Sequence, residues 1–408
     1  MKPVTAVVLG AGSRGSIYAG YAKEHPEELK IISIAEPRRD RLDALAEEVG
    51  VPAEYRFATW EALLDQPKLA ECAFICTLDD DHIQPALKAM ELGYHLLLEK
   101  PMSNREEECR QIVETARRTG RTLAVCHVLR YTPFYMTLKA LIEKGEVGQV
   151  TTINQIENVG YWHQAHSFVR GNWRNSKETS PMILQKSCHD MDIILWLMGS
   201  NCTKVHSFGS LRHFTPEHAP EGAAERCLDC PHMDTCPYSA PKLYMDMNRT
   251  GWPVDVITTD LSEAGRRKAL EEGPYGRCVY YCDNDVVDRQ VVNLEFENGG
   301  VATFTMTGLT ADFFRELKIF GTEGHIRANM GTKEIILHRF GEEPQKIPVD
   351  MGLEQSGHGG GDYGIMSDFL RILRDGGESR SSAEVSLQSH LICFAAERSR
   401  KENIVVTL

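Results

Sequence analysis

The sequence has no long apolar run. Nowhere in its 408 residues does a hydrophobic stretch approach the roughly 18 residues that a membrane-spanning helix needs. Positive charge is also short. Lys and Arg number 45 against 58 Asp and Glu, a formal net charge of −13. An acidic chain lacks the electrostatic footprint for a nucleic-acid backbone or an anionic membrane, so neither partner is expected. The 12 cysteines are too sparse for a disulfide framework. Residues 1–10 enter a short apolar run with no small-residue cleavage site before Gly10. That run reads as a buried strand rather than an export signal. The thiols are therefore expected free or metal-bound in a reducing compartment, and the protein cytoplasmic. Repeats and low-complexity segments are missing too.

What remains is the composition of a soluble globular chain, 42% hydrophobic and 25% charged, long enough for two or three domains. Over residues 1–126 apolar strand runs alternate with helix-period segments. Strands are expected at Val4–Leu9, Leu29–Ala35, Cys72–Thr77, Tyr94–Leu98 and Thr122–Cys126. Thr59 is expected to cap a short helix, and Ser103 with Glu106 reads as a capping box. Such alternation predicts βαβ units and a parallel sheet covered on both faces. Residues 127–408 form a second α/β unit. Strands at 150–159, 290–296, 301–307, 316–320 and 334–339, several joined by short turns, predict an open, largely antiparallel sheet. Helices are expected over 188–198, 362–375 and 383–402. Residues 212–284 match neither pattern and read as a Cys- and Pro-rich insertion.

Gly10-Ala11-Gly12-Ser13-Arg14-Gly15 is a GxGxxG directly after the first strand and before a helix. Its glycines serve a tight turn, close approach of a pyrophosphate, and helix–strand packing; the phosphates sit at the helix N-terminus. Glu36 ends the second strand, near the ~20-residue spacing expected of the acid that binds the ribose hydroxyls. A carboxylate there favours NAD, whereas Arg38 and Arg39 next door would favour the 2′-phosphate of NADP. Glu99-Lys100-Pro101 ends another parallel strand, at the sheet end where open α/β sheets bind ligands.

These segments resemble the Gfo/Idh/MocA oxidoreductases (glucose–fructose oxidoreductase, inositol dehydrogenase, rhizopine catabolism). The likeness is carried by Gly10–Gly15, Glu36-Pro37, Ile75–His82, Glu99-Lys100-Pro101, His127–Pro133, Gly145–Val150 and Cys188–Gly199. It implies an N-terminal Rossmann domain and a C-terminal α/β domain whose open sheet covers the active site and often makes the oligomer interface. A homodimer or homotetramer is therefore expected. By the same resemblance Lys100 contacts nicotinamide ribose and substrate hydroxyl. Ser13, Arg14, Thr77, Asp79, His82 and Glu99 lie by the cofactor, and Trp173-Arg174 by the nicotinamide. His127 and Arg130 belong to the crossing between domains and are candidate substrate contacts.

His189 corresponds to the family's general base or acid. The Asp that precedes it by four residues in the family is here Gln185, followed by Lys186. Both are candidate substrate contacts, and Lys186, if close, would lower the His189 pKa. Lys100 is an alternative base should burial depress its pKa. His163 and His166, in an aromatic-rich stretch, suit a sugar pocket. His358, in Gly357-His358-Gly359-Gly360-Gly361-Asp362, could reach a hydroxylated ligand.

Cys227-x2-Cys230-x5-Cys236, with Cys278 or Cys282 some forty residues on, has the spacing of four thiolates on one structural zinc; an iron–sulfur cluster also takes four. The reading as a whole is an NAD-dependent oxidoreductase of a secondary hydroxyl on a sugar, cyclitol or sugar derivative. The alternatives are an NAD-dependent glycoside hydrolase using transient oxidation, suggested by residues 357–362, and a non-catalytic sugar sensor.

Overall fold

A computed structural model describes residues 2–350 and 357–408. Among them lie two sheets. The first runs β3(Arg56–Phe57)–β2(Leu29–Ala35)–β1(Val4–Leu9)–β4(Cys72–Ile75)–β5(His95–Leu98)–β6(Leu123–Val125), with every pair parallel. Its strands are short Val-, Ile- and Leu-rich runs buried on both sides, as a doubly covered parallel sheet requires. Helices α1(Ser13–Glu24), α2(Arg39–Glu48), α3(Trp60–Leu64), α4(Ile83–Glu91) and α5(Glu106–Thr119) connect them. Thr59 caps α3 by accepting from Ala62 N. The expected capping box does not form. Arg105 is the N-cap of α5, and Ser103 instead accepts from Arg105 N and donates to Glu108.

The second sheet runs β14(Gln345–Ile347)–β13(Glu334–Arg339)–β12(Gly324–Asn329)–β11(Arg315–Gly321)–β7(Val150–Asn158)–β10(Val301–Thr307)–β9(Arg289–Phe296)–β8(Cys202–Ser210)–β15(Val406–Thr407). All its pairs are antiparallel except β7 with β10. In β9 and β10 burial alternates residue by residue. One face packs on the helices Cys188–Met198 and Ala383–Glu402; the other is open.

The insertion is more ordered than its composition suggests. Residues 240–244, 254–257 and 263–272 are helical. Ala240, Tyr244, Val254, Leu270 and Tyr275 form a small apolar core there with Cys227. Two tyrosines and a few aliphatic side chains, spaced outside any single period, supply this core, which is why periodicity does not reveal it.

Two features join the halves. Helix Gly361–Asp375 returns to the first sheet, burying Ile365, Met366, Phe369 and Leu370 among Tyr18, Phe74 and Leu97. Arg130, at the crossing, is buried and donates from Nε and Nη2 to the Asp192 carboxylate at 2.7 and 2.8 Å. Arg130 therefore positions the helix Cys188–Met198 and is not available to a substrate, contrary to the sequence reading. Removing one partner leaves a buried charge unpaired, which costs about 3–5 kcal/mol. Arg130→Met is expected to lose stability of that order in urea unfolding, and Arg130→Met with Asp192→Leu substantially less.

Candidate active site

The glycine loop has the shape of a dinucleotide cradle. At Gly10 φ is +98°, and a Cβ would lie 2.4 Å from Cys76 O. At Gly15 a Cβ would lie 1.9 Å from Gly10 O, so the start of α1 packs on the loop. A Cβ at Gly12 meets nothing nearer than Arg41 Nη1 at 3.7 Å, leaving space for a phosphate at the N-terminus of α1. Glu36 accepts from Ala11 N through Oε2 (2.8 Å) and from Arg38 N through Oε1 (3.0 Å). Its carboxylate is thus fixed between the loop and the end of β2. Arg38 and Arg39 turn to Asp40 and Asp43. The residue over the cradle is Arg41, which sequence spacing did not single out.

Arg14 links three segments. Its Nε donates to Glu99 Oε1 at 2.8 Å and its Nη2 to Asp362 Oδ1 at 2.6 Å. Tyr18 donates to the same Glu99 oxygen at 2.7 Å, and Lys100 N donates to Glu99 Oε2. Burial alone would raise the Glu99 pKa. Arg14 and Lys100 outweigh it and hold Glu99 below the usual range. His82 has Pro101 O at 2.8 Å from Nδ1 and Thr77 O at 3.1 Å from Nε2, tying the turn after β4 to the lysine turn after β5. Asp79 is buried and accepts from Ser180 Oγ at 2.9 Å. Burial raises its pKa against the pull of His82 and Lys100.

Lys100 Nζ reaches the second domain, donating to Gln185 O at 2.8 Å. His189, at the start of the helix Cys188–Met198, is 6% exposed, and its Nδ1 is buried without a hydrogen-bond partner among the described residues. Its ring lies 5.7 Å from that of His127 and 6.2 Å from that of His358. Burial first, then Lys100, His127 and His358, hold its pKa well below the ordinary value. The direction agrees with the sequence reading, but the agent differs. Lys186 turns to Glu157, 3.3 Å away, and Lys100 is the ammonium that acts on His189. His127 stands behind His189 and against His390, its pKa also lowered by burial. His358 is held by Asp362 at 3.2 Å.

Two expected site residues sit elsewhere. His166 stacks on Tyr275 at 4.9 Å and its Nδ1 lies 2.7 Å from Tyr244 Oη, so the insertion occupies it. Arg174 pairs with Asp283 at 2.8 Å, whereas its neighbour Trp173 packs on the core under the second sheet and stays beside Asp79. Cys227, Cys230, Cys236 and Cys278 line one small cavity; Cys282 points to Cys278 O instead. No three His, Cys, Asp or Glu among the described residues stand together as ligands for a metal ion. The cysteines expected from their spacing to hold one structural zinc thus share a cavity but form no metal-ligand group, which gives that expectation no support.

The model of an oxidoreductase family with an NAD-binding Rossmann fold, GFO_IDH_MocA, matches residues 4–127, and that of the family's C-terminal alpha/beta domain matches residues 139–408. The chain belongs to the Gfo/Idh/MocA oxidoreductase family. The inositol 2-dehydrogenase of Streptomyces avermitilis is 31% identical over 218 residues, 53% of this chain and 58% of that protein. The scyllo-inositol 2-dehydrogenase (NAD(+)) of Bacillus subtilis is 26% identical over 277 residues, 67% of this chain and 69% of that protein. The solved structure of a levoglucosan dehydrogenase in complex with NADH and L-sorbose superposes with a TM-score of 0.75 at 19% identity, covering 100% of this chain and 99% of that one. Several curated relatives are matched over only 49–58% of their length.

Membership fixes a nicotinamide dinucleotide as the cofactor class, and Glu36 bears on which one. Glu36→Ala is expected to weaken NAD binding about 10- to 100-fold, the loss of hydrogen bonds to a charged acceptor, while NADP binding weakens less or improves. Titrating both cofactors by fluorescence checks this. Wild-type preference for NADP would show that the nearby arginines decide.

Proposed function

We propose that the chain is an NAD-dependent dehydrogenase of a secondary hydroxyl on a sugar, cyclitol or sugar derivative. The observation that carries this reading is the placement of the buried His189 near Lys100, just past the carboxyl end of β5, where burial and Lys100 hold the imidazole well below its ordinary pKa. The inositol-dehydrogenase relatives support the substrate class.

The residues present fit the cofactor. Gly12 leaves room for the pyrophosphate, α1 presents its N-terminus to it, and Glu36 stands where the ribose hydroxyls need an acceptor. Bound NAD supplies the hydride acceptor. His189, with Nδ1 sealed in the protein, takes the hydroxyl proton at Nε2. Lys100, already held toward the second domain by Gln185, donates to the same oxygen and offsets the negative charge that develops there. His82 holds the lysine turn through Pro101 O, Asp79 ties the turn after β4 to Ser180, and Asp362 orients His358 beside His189. His127 backs His189 and excludes water behind it. In this reading Gln185, which replaces the family's Asp, serves Lys100 rather than His189, so no carboxylate shares the proton.

The same reading has the protein cytoplasmic and a homodimer or homotetramer. No helix among the described residues is long and apolar enough to cross a membrane. Phe208, Val291 and Ile156 lie on one register row of the open face of the second sheet and are exposed, which supports pairing there.

The test is an NAD-reduction screen over aldoses, inositols, anhydrosugars and uronates, followed by variants. Lys100→Met and His189→Ala are each expected to lower kcat by about 10²- to 10⁴-fold, with NADH affinity of His189→Ala within a few-fold of wild type. Unchanged turnover in both variants would contradict the assignment. Turnover of nitrophenyl glycosides without added NAD would instead favour the hydrolase reading. Tight NAD and sugar binding without NADH formation would favour the sensor.

A further inference from the structure

The four cysteines of the insertion come from separate stretches that the backbone draws together. A 3₁₀ turn begins at Cys227, and Cys230 N bonds back to Cys227 O at 3.3 Å. Cys236 follows a second turn closed on His232 O. The bridge between Arg226 and Arg277, with Cys278 N donating to Glu225 O at 2.8 Å, brings the far end of the insertion alongside. All four side chains line one cavity of about 20 Å³, enough for about one water-sized sphere. All four are free of disulfides.

The cavity wall also holds a charge without a counter-charge. Arg170 is 1% exposed and lines the cavity. It donates to Arg277 O and Tyr238 O, both at 2.7 Å, and to Cys227 Sγ at 3.4 Å. Among the described residues it makes no ion pair with a carboxylate. Ser239 Oγ, on the same wall, is buried and has no hydrogen-bond partner. A buried guanidinium is costly unless something negative offsets it. The group it faces is a ring of thiols, neutral until a metal ion displaces their protons.

We propose that Cys227, Cys230, Cys236 and Cys278 form a structural site for one zinc ion, with Arg170 as its buried counter-charge. Four thiols lose their protons and four sulfur–zinc bonds form, with no change of oxidation state. The resulting tetrathiolate complex carries two negative charges, one of them offset by Arg170. The four thiols line the cavity but do not stand at ligand spacing in this structure, and binding requires them to turn toward its centre. A single ion matches a cavity of about one water-sized sphere. Four thiolates leave no open position for a substrate, so the ion ties the ends of the insertion together rather than taking part in hydride transfer.

The experiment uses the full chain, made without a histidine tag in zinc-supplemented medium and desalted before elemental analysis. One zinc per chain is expected. Four thiols should resist Ellman's reagent until a chelator is added, and Tm should fall on chelation. Cobalt substitution should give the intense visible bands of a tetrahedral tetrathiolate complex. Arg170→Gln should weaken zinc binding about 10- to 100-fold, as loss of a group bonded to a ligand does. Cys236→Ser should lose the zinc and keep kcat within twofold at low temperature; where it fails to fold, the cobalt spectrum of the wild type decides. Absence of metal with four freely reacting thiols, iron with cluster absorption, or a disulfide within residues 227–236 each overturns the proposal.

Discussion

The chemistry of this chain depends on keeping an imidazole uncharged beside an ammonium, with no carboxylate between them. His189 is buried, its Nδ1 is unpartnered among the described residues, and the groups that act on it are Lys100, His127, His358 and Arg315. Nearby acids are committed elsewhere: Asp190 to Arg315, Asp192 to Arg130, Asp362 to Arg14 and His358. A neutral base and a fixed cation can share one substrate oxygen. The base takes its proton, and the cation meets the charge left behind.

That placement is a consequence of how the two halves are joined. The cofactor loop contributes Arg14, the lysine turn Glu99, and the returning segment Asp362; one guanidinium fixes all three. From the other side, Arg130 clamps the helix that carries His189. Lys100 itself spans the junction to Gln185 O. Cofactor loop, lysine and histidine therefore hold a common geometry through buried, charge-assisted hydrogen bonds, which are stronger and more directional than neutral ones.

Much of this was legible in the sequence. Gly10, Gly12 and Gly15 have the separate roles their spacing implies, and Val301–Thr307 and Glu334–Arg339 are strands as read. Local signals suffice there, because a tight turn or an alternating strand is determined by its own residues. Features set by distant partners were not legible. Arg130 and His166 carry the right chemistry for substrate, yet Asp192 claims one and Tyr244 and Tyr275 the other. Lys186 stands near Lys100 and His358, but its ion pair with Glu157 on β7 is set by a distant strand that the sequence does not announce. Strands β8 and β12 carry His and charged residues among few apolar ones, which blurred their pattern. In the insertion, three short helices are held by apolar contacts that no period announces.

The most direct test of the account is the protonation state of His189 itself. Protein labelled with ¹³C at histidine Cε1, with the His189 signal assigned by His189→Gln, can be followed by NMR as pH is lowered with NADH bound. The account predicts that His189 stays neutral through and well below pH ~6.5, the ordinary histidine value. A His189 that titrates at or above that value would contradict it.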